Sequence, residues 1–173
     1  MSELREAFIE ELKDTYDAEH QITKALPKVI KSARHEELKS ALESHLEETH
    51  YHIGRLENVF DILDETPRRK KCKGIEGILA EGQELIEAHR GDAALIASLQ
   101  KVEHYEIAAY GTLAAWTRFL EEHVAADILE ETLNEERDAD ERLAEIAQSV
   151  INPEGASREA EEGFGRRIKL PMQ

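Results

Sequence analysis

Apolar residues recur along this chain at the 3.6-residue spacing of an amphipathic helix. From Ser2 to about Ala33 they fall at Leu4, Phe8, Leu12, Tyr16, Ile22, Leu26 and Ile30, which predicts one long helix with Ser2 as its N-cap. Pro27 lies inside that stretch, and because the pattern resumes at Val29 and Ile30 it predicts a kink rather than an end. A second stripe runs through Leu38, Leu42, Thr49, Ile53, Leu56, Phe60 and Leu63 and stops before Thr66-Pro67. The connection from Pro67 to Gly91 contains a shorter helical pattern at Ile75, Ile78, Leu79, Leu85 and Ile86. A third long helix, capped by Asp92, is expected through Leu95, Leu99, Val102, Tyr110, Leu113, Thr117 and Leu120. The fourth follows through Ala125, Leu129, Leu133, Leu143, Ala147 and Val150, with Asn152-Pro153 as its stop.

Two long helices joined tightly, a long crossing connection, and two more joined tightly describe an all-α fold. It is an antiparallel four-helix bundle with one crossover that carries an extra helix. The bundle is expected over residues 1–152, and residues 153–173, with Gly155, Gly163 and Gly165, are expected to form a flexible C-terminal tail. Shifting the first half by roughly 87 positions lays Glu19 over Glu106 and Leu26 over Leu113, a faint internal repeat in hydrophobic phase.

Composition narrows the function classes. The chain has 173 residues, 35% of them charged and only 5% aromatic, a balance that favours helices over sheets. With 38 Asp and Glu against 22 Lys and Arg the net charge is -16, so neither nucleic acid nor an anionic membrane surface is an expected partner. The single cysteine, Cys72, excludes an internal disulfide, the first residues carry no signal-peptide pattern, and no apolar run approaches the roughly 20 residues of a membrane helix. Together these predict a cytoplasmic protein. No nucleophile elbow, phosphate loop or Cys-x-x-Cys motif occurs, which leaves hydrolase and kinase readings without support.

Several ionisable residues fall on the apolar stripes. Glu19 lies near the centre of the first, between Tyr16 and Ile22; Glu106 lies between Val102 and Tyr110, with Glu103 at the edge; Glu136 and Asp140 lie between Leu133 and Leu143. The second helix puts His45 and His52 on its inner flank and Glu48 just outside. Counting back from each tight turn brings Glu19 level with a point between Glu48 and His52, and Glu106 level with a point between Glu136 and Asp140. Carboxylates gathered in one dry layer cost several kcal/mol each if ionised without partners. A bound pair of dications removes that penalty.

The stretches Leu12-Lys-Asp-Thr-Tyr-Asp-Ala-Glu19, His45-Leu-Glu-Glu-Thr-His50 and above all Lys101-Val-Glu-His-Tyr-Glu-Ile-Ala-Ala-Tyr-Gly-Thr-Leu113 resemble the YciE/YciF branch of ferritin-like proteins, over roughly residues 1–150. The resemblance implies a ferritin-like bundle with a di-iron carboxylate centre, an association with bacterial stress responses and, as is common for such bundles, a homodimer. The usual site takes one Glu from each of two helices and a Glu-x-x-His from each of the other two. Carried over, Glu19 and Glu106 take the single-glutamate places. The chain departs from the pattern elsewhere. Glu47-Glu-Thr-His50 has the spacing, yet Glu47 lies opposite the stripe, so Glu48 and His52 are preferred. No histidine occurs between Ala125 and Val150, and Glu136 with Asp140 stand in. The expected metal ligands are therefore Glu19, Glu48, His52, Glu106, Glu136 and Asp140, a hard, oxygen-rich set suited to two ions of iron, or of manganese, over copper.

The remaining polar residues have plainer readings. His45 reads as a core histidine bonded to a neighbour, His50 as exposed, Tyr16 and Tyr110 as core, and Glu103 as an edge residue or an outer acceptor that orients a ligand. The run Arg68 to Lys73 reads as a solvated loop or as a salt-bridge partner for the acidic surface, and its cations are a setting that lowers the pKa of a thiol such as Cys72. Two functions fit. One is a di-iron or di-manganese protein that reacts with oxygen or peroxide. The other is a non-catalytic, stress-induced structural bundle whose polar layer is satisfied by protons, water and hydrogen bonds.

Overall fold

Ser2 opens the first helix as its spacing requires, its Oγ accepting the Arg5 N–H at 3.3 Å, and Glu3 and Glu6 in the first turn complement the helix dipole. In the computed structural model, which describes residues 2–157, this helix α1 spans Glu3–Ser32 and runs unbroken through Pro27. Helix α2 spans Glu36–Ile62, α3 Lys73–Glu87, α4 Asp92–Phe119 and α5 His123–Ile146, and no strand occurs among the described residues. Each of α1, α2, α4 and α5 packs on two of the others, in the ring α1–α2–α5–α4, while α3 lies outside against α1 and α4. Tight turns reverse the chain after α1 and α4, and the crossover carries it back along the bundle, so all four ring neighbours are antiparallel.

Two boundaries differ from the sequence reading. Asp92 is the first residue of α4 and not its cap, a place taken by Gly91 with a φ of 83° that suits glycine. The Asp92 carboxylate instead accepts the backbone N–H groups of Arg34 (3.0 and 3.1 Å) and His35 (2.8 Å), tying the α1–α2 turn to the start of α4. Nor does α5 end at Asn152-Pro153. A π-helical stretch, Ala147–Ile151, follows it directly and helical backbone continues to Ser157. The wider π turn eases the clash between the Pro153 ring and the preceding turn that would otherwise stop the helix. The rest of the expected tail, residues 158–173, lies outside the described residues.

The apolar core is in two parts. One cluster includes Ala18, Ile22, Leu26, Leu42, Leu99, Val102 and Leu143. The other includes Leu12, Tyr16, Leu56, Phe60, Tyr110, Leu129 and Leu133. Between them every long helix changes from one cluster to the other, and at that change it carries buried polar side chains. No helix among the described residues is long and apolar enough to cross a membrane.

Candidate metal centre

Six ionisable side chains meet in the interval between the two apolar clusters. Helix α1 supplies Glu19; α2 supplies His45 and His52, seven residues and so two turns apart on one face; α4 supplies Glu103 and Glu106 one turn apart; α5 supplies Glu136. Their exposures run from 0 to 6%. They form two groups: donor atoms of His45, Glu103, Glu106 and Glu136 all lie within 4.8 Å of one another, as do those of Glu19, His52 and Glu136. Glu136 belongs to both.

This interval also gathers most of the buried side-chain atoms that lack a hydrogen-bond partner. They are one oxygen each of Glu19 and Glu103, both oxygens of Glu106 and Glu136, both nitrogens of His45, and Nδ1 of His52; Thr15 Oγ1 and His35 Nδ1 complete the set among the described residues. His52 Nδ1 is 2.9 Å from Glu136 Oε1 and 3.4 Å from Glu19 Oε1, close enough for ion pairing but without the alignment of a hydrogen bond. His45 Nε2 is 3.5 Å from Glu103 Oε1 in the same unaligned manner. Polar groups buried in this state are costly, and a cation in each of the two groups would give the donor atoms facing it a partner.

Neighbours fix two of these side chains from outside. His52 Nε2 sits 2.8 Å from Glu135 Oε2, and the Arg55 guanidinium grips both oxygens of that carboxylate, with Nη2 at 2.9 Å from Oε1. A carboxylate held this way only accepts, so His52 Nε2 carries its proton outward and Nδ1 faces the centre. The Tyr110 hydroxyl, fully buried, donates a short hydrogen bond to Glu19 Oε1.

The charge states follow from burial and from these contacts. Burial pushes Glu19, Glu103 and Glu106 above the usual carboxylate range, Glu103 and Glu106 well above it, and Glu136 adds repulsion to each. Glu136 goes the other way: burial raises it, but His52 and His45 outweigh that and hold it low. Burial alone lowers the histidines. Glu103 and Glu48 reverse this for His45, bringing it to about 9, and Glu136 and Glu19 bring His52 to about 11.

Four of the six ligands expected from sequence are thus brought together: Glu19, His52, Glu106 and Glu136. Glu48 and Asp140 are not among them. The Glu48 side chain is 44% exposed, with Oε2 3.7 Å from His45 Nδ1 on the outer side. Asp140 turns to α4, accepting from Gln100 Nε2 at 3.0 Å and lying 3.4 Å from His104 Nε2. His45 and Glu103, which the sequence reads as a core histidine and as an edge residue or outer acceptor, join the first donor group. The signal for His45 was its two-turn spacing from His52 on the inner flank of α2, and for Glu103 its one-turn spacing from Glu106. Glu47 and His50 are exposed, as their helix phase predicts.

The basic run takes the salt-bridge alternative. Arg69 Nε pairs with Asp17 at 2.8 Å, Lys70 with Glu10 at 3.3 Å and Lys71 with Glu76 at 2.6 Å. Cys72 is fully buried, its Sγ 3.0 Å from the Tyr105 hydroxyl, and burial pushes the thiol up rather than down. It is not a reactive thiolate.

Residues 3–156 match the family described as a domain of unknown function, DUF892. Protein YciF of Escherichia coli K12 is 42% identical over 163 residues, which cover 91% of this chain and 98% of the relative. The crystal structure of the E. coli stress protein YciF superposes with a TM-score of 0.84 at 43% identity, covering 88% of this chain and 99% of that one. YcfI of Rhodopseudomonas palustris, whose description assigns it a structural role provisionally, superposes with a TM-score of 0.78 at 41% identity, covering 83% and 94%. A protein of Xanthomonas campestris pv. campestris, 23% identical with a TM-score of 0.71 over 93% of this chain and 99% of its own, shares the fold. With its helical bundle, its match across nearly the whole length and its likeness to YciF, the chain belongs to the DUF892 family and to its YciE/YciF-type branch.

Proposed function

We propose that this chain is a ferritin-like metal-binding protein whose core holds two iron ions, or alternatively two manganese ions, and that the loaded centre reacts with oxygen or peroxide in a stress response. One observation carries the reading: partnerless donor atoms, buried from water, converge in two groups that share Glu136. His45, Glu103 and Glu106 would hold one ion, Glu19 and His52 the other, with Glu136 between them. Two imidazoles and four carboxylates make a hard donor set that suits iron or manganese over copper. When bound, such a pair supplies one-electron chemistry toward oxygen or peroxide. The protein's own part is to exclude water with the two apolar clusters, to orient His52 through Glu135, and to hold Glu19 through the Tyr110 hydroxyl. The cytoplasmic and homodimeric readings belong to this proposal, and light scattering on the purified chain tests the second.

A non-catalytic structural bundle is the second reading, favoured by the role attached to the R. palustris relative and by the ion pairs available between protonated histidines and Glu136. Elemental analysis of protein purified from iron-supplied cells separates the two. Two ions per chain are expected, lost together with Glu136→Ala. A chain that takes up no iron or manganese, in cells or on anaerobic titration, overturns the metal reading.

A further inference from the structure

A cavity of about 120 Å³ lies between α2 and α5, and its walls run from the surface to the candidate metal centre. At its inner end are His45 and Glu103, 6% and 1% exposed, with both nitrogens of His45 and one oxygen of Glu103 lacking hydrogen-bond partners. At its rim are Asp138 and Arg142, both exposed and one turn apart on α5, facing the half-exposed Glu48 on α2. Glu48 stands between rim and interior, its Oε2 3.7 Å from His45 Nδ1.

We propose that this cavity is the uptake route for the divalent cation, with Asp138 and Glu48 drawing the ion in and Glu48 passing it to His45. The inference rests on the metal-centre reading. Its volume is that of roughly four water molecules, room for an ion that has kept part of its hydration shell. Carboxylate oxygens along the wall replace the water lost on the way, and carboxylates at a narrow mouth raise the local concentration of cations. A second cavity that reaches His45 and Glu103 does not suit a hydrated ion: it is about 20 Å³ and is walled by Ile22, Leu79, Leu99 and Val102. Arg142 is the arginine at the mouth of the uptake wall, and its charge opposes the flow. The route also accounts for Glu48, which approaches His45 from the cavity side without joining either donor group.

The test is stopped-flow mixing of the metal-free full-length chain with Co(II), followed by its visible absorption, alongside equilibrium stoichiometry. Glu48→Gln combined with Asp138→Asn should slow uptake about tenfold at low salt while two ions still bind at equilibrium. Arg142→Gln should speed it a few-fold, and both effects should shrink as salt screens the mouth. Unchanged rates in all variants, with two ions still bound, overturn the route but leave the metal centre standing. Loss of one ion in Glu48→Gln also overturns it, since Glu48 would then be a ligand. Failure of the unaltered chain to take up Co(II), Fe(II) or Mn(II) overturns the route together with the reading beneath it.

Discussion

Glu136→Gln is the most informative single change, because Glu136 is the only side chain shared by both donor groups and the only core carboxylate of the six that its neighbours hold low. The amide keeps the shape, so no cavity term arises, and what is lost is the negative charge 2.9 Å from His52 Nδ1. Removing one partner of a buried ion pair costs about 3–5 kcal/mol. That is a large part of the 5–15 kcal/mol by which domains of this kind are stable, so the effect is easily measured. The assay is urea unfolding by far-UV circular dichroism in excess chelator, where the midpoint should fall with the slope unchanged. The pH dependence carries its own check. A carboxylate held low contributes stability that is present above its unfolded value near 4.5 and lost as pH falls through its folded value. Histidines raised to about 9 and about 11 contribute stability that is full below their unfolded value of 6.5 and is lost as pH rises through those figures. The penalty should therefore be full between roughly pH 5 and 6.5 and shrink steadily toward pH 9. A penalty under about 1 kcal/mol at pH 6, or one that is flat across this range, refutes the charge network described above.

Metal removal should act on the whole molecule. Two ions, each present at a hundred times its dissociation constant, stabilise by about 5 kcal/mol together, or about 10–20 °C in melting temperature for a chain of this size. Because Glu19, Glu103 and Glu106 are raised, the chelated protein should melt higher at pH 5.5 than at pH 7.5, and the loaded protein should show the reverse. An unchanged melting curve after verified metal removal favours the structural bundle. The two positions should also differ: three carboxylates and a histidine surround one, two carboxylates and a histidine the other, so chelator titration should strip the Glu19–His52 side first. Elemental analysis should then find Glu19→Ala with one ion; simultaneous loss of both ions counts against unequal sites.

Helices were readable because period and termini agree locally: the stripe from Leu4 to Ile30 and the Ser2 cap are properties of neighbouring residues. Asp92 was misread for a physical reason. An Asp before an apolar run has the signature of a cap, and nothing local reveals that its carboxylate is taken by the Arg34 and His35 amides fifty-odd residues away. The site divides in the same way. Glu19, Glu106, Glu136 and His52 fall on their stripes at one level, so phase and level together suffice to bring them inward. Level counting assumes a layer one turn thick, however, and this one spans the two turns from His45 to His52. That assumption set His45 aside and drew in Glu48, which is level with Glu19 but lies outside both donor groups. Asp140 has the right level too, yet its carboxylate turns aside to Gln100 and His104 on α4.

The crossover, although no residue of it joins either donor group, bears on the centre through α1. Asp17, two residues before Glu19, accepts the Cys72 N–H at 2.9 Å, Gln21 Nε2 at 2.7 Å and Arg69 Nε at 2.8 Å. Burial alone raises its carboxyl, and these donors reverse that and hold it low, so the anchor is ionised. The basic run thus clamps α1 from outside at the level where Glu19 points inward, and Tyr110 holds the Glu19 carboxylate from inside. A bundle built for stability alone gains nothing from this arrangement, since well-packed apolar residues in place of buried charges are often neutral or stabilising by about 1–4 kcal/mol. Here the apolar residues stop on both sides of the layer, the polar ones are fixed by partners outside it, and their inward atoms are left open. Rigidity around unsatisfied donors is what a ligand set requires before its ion arrives, and it is the physical reason to prefer the metal reading to the structural one.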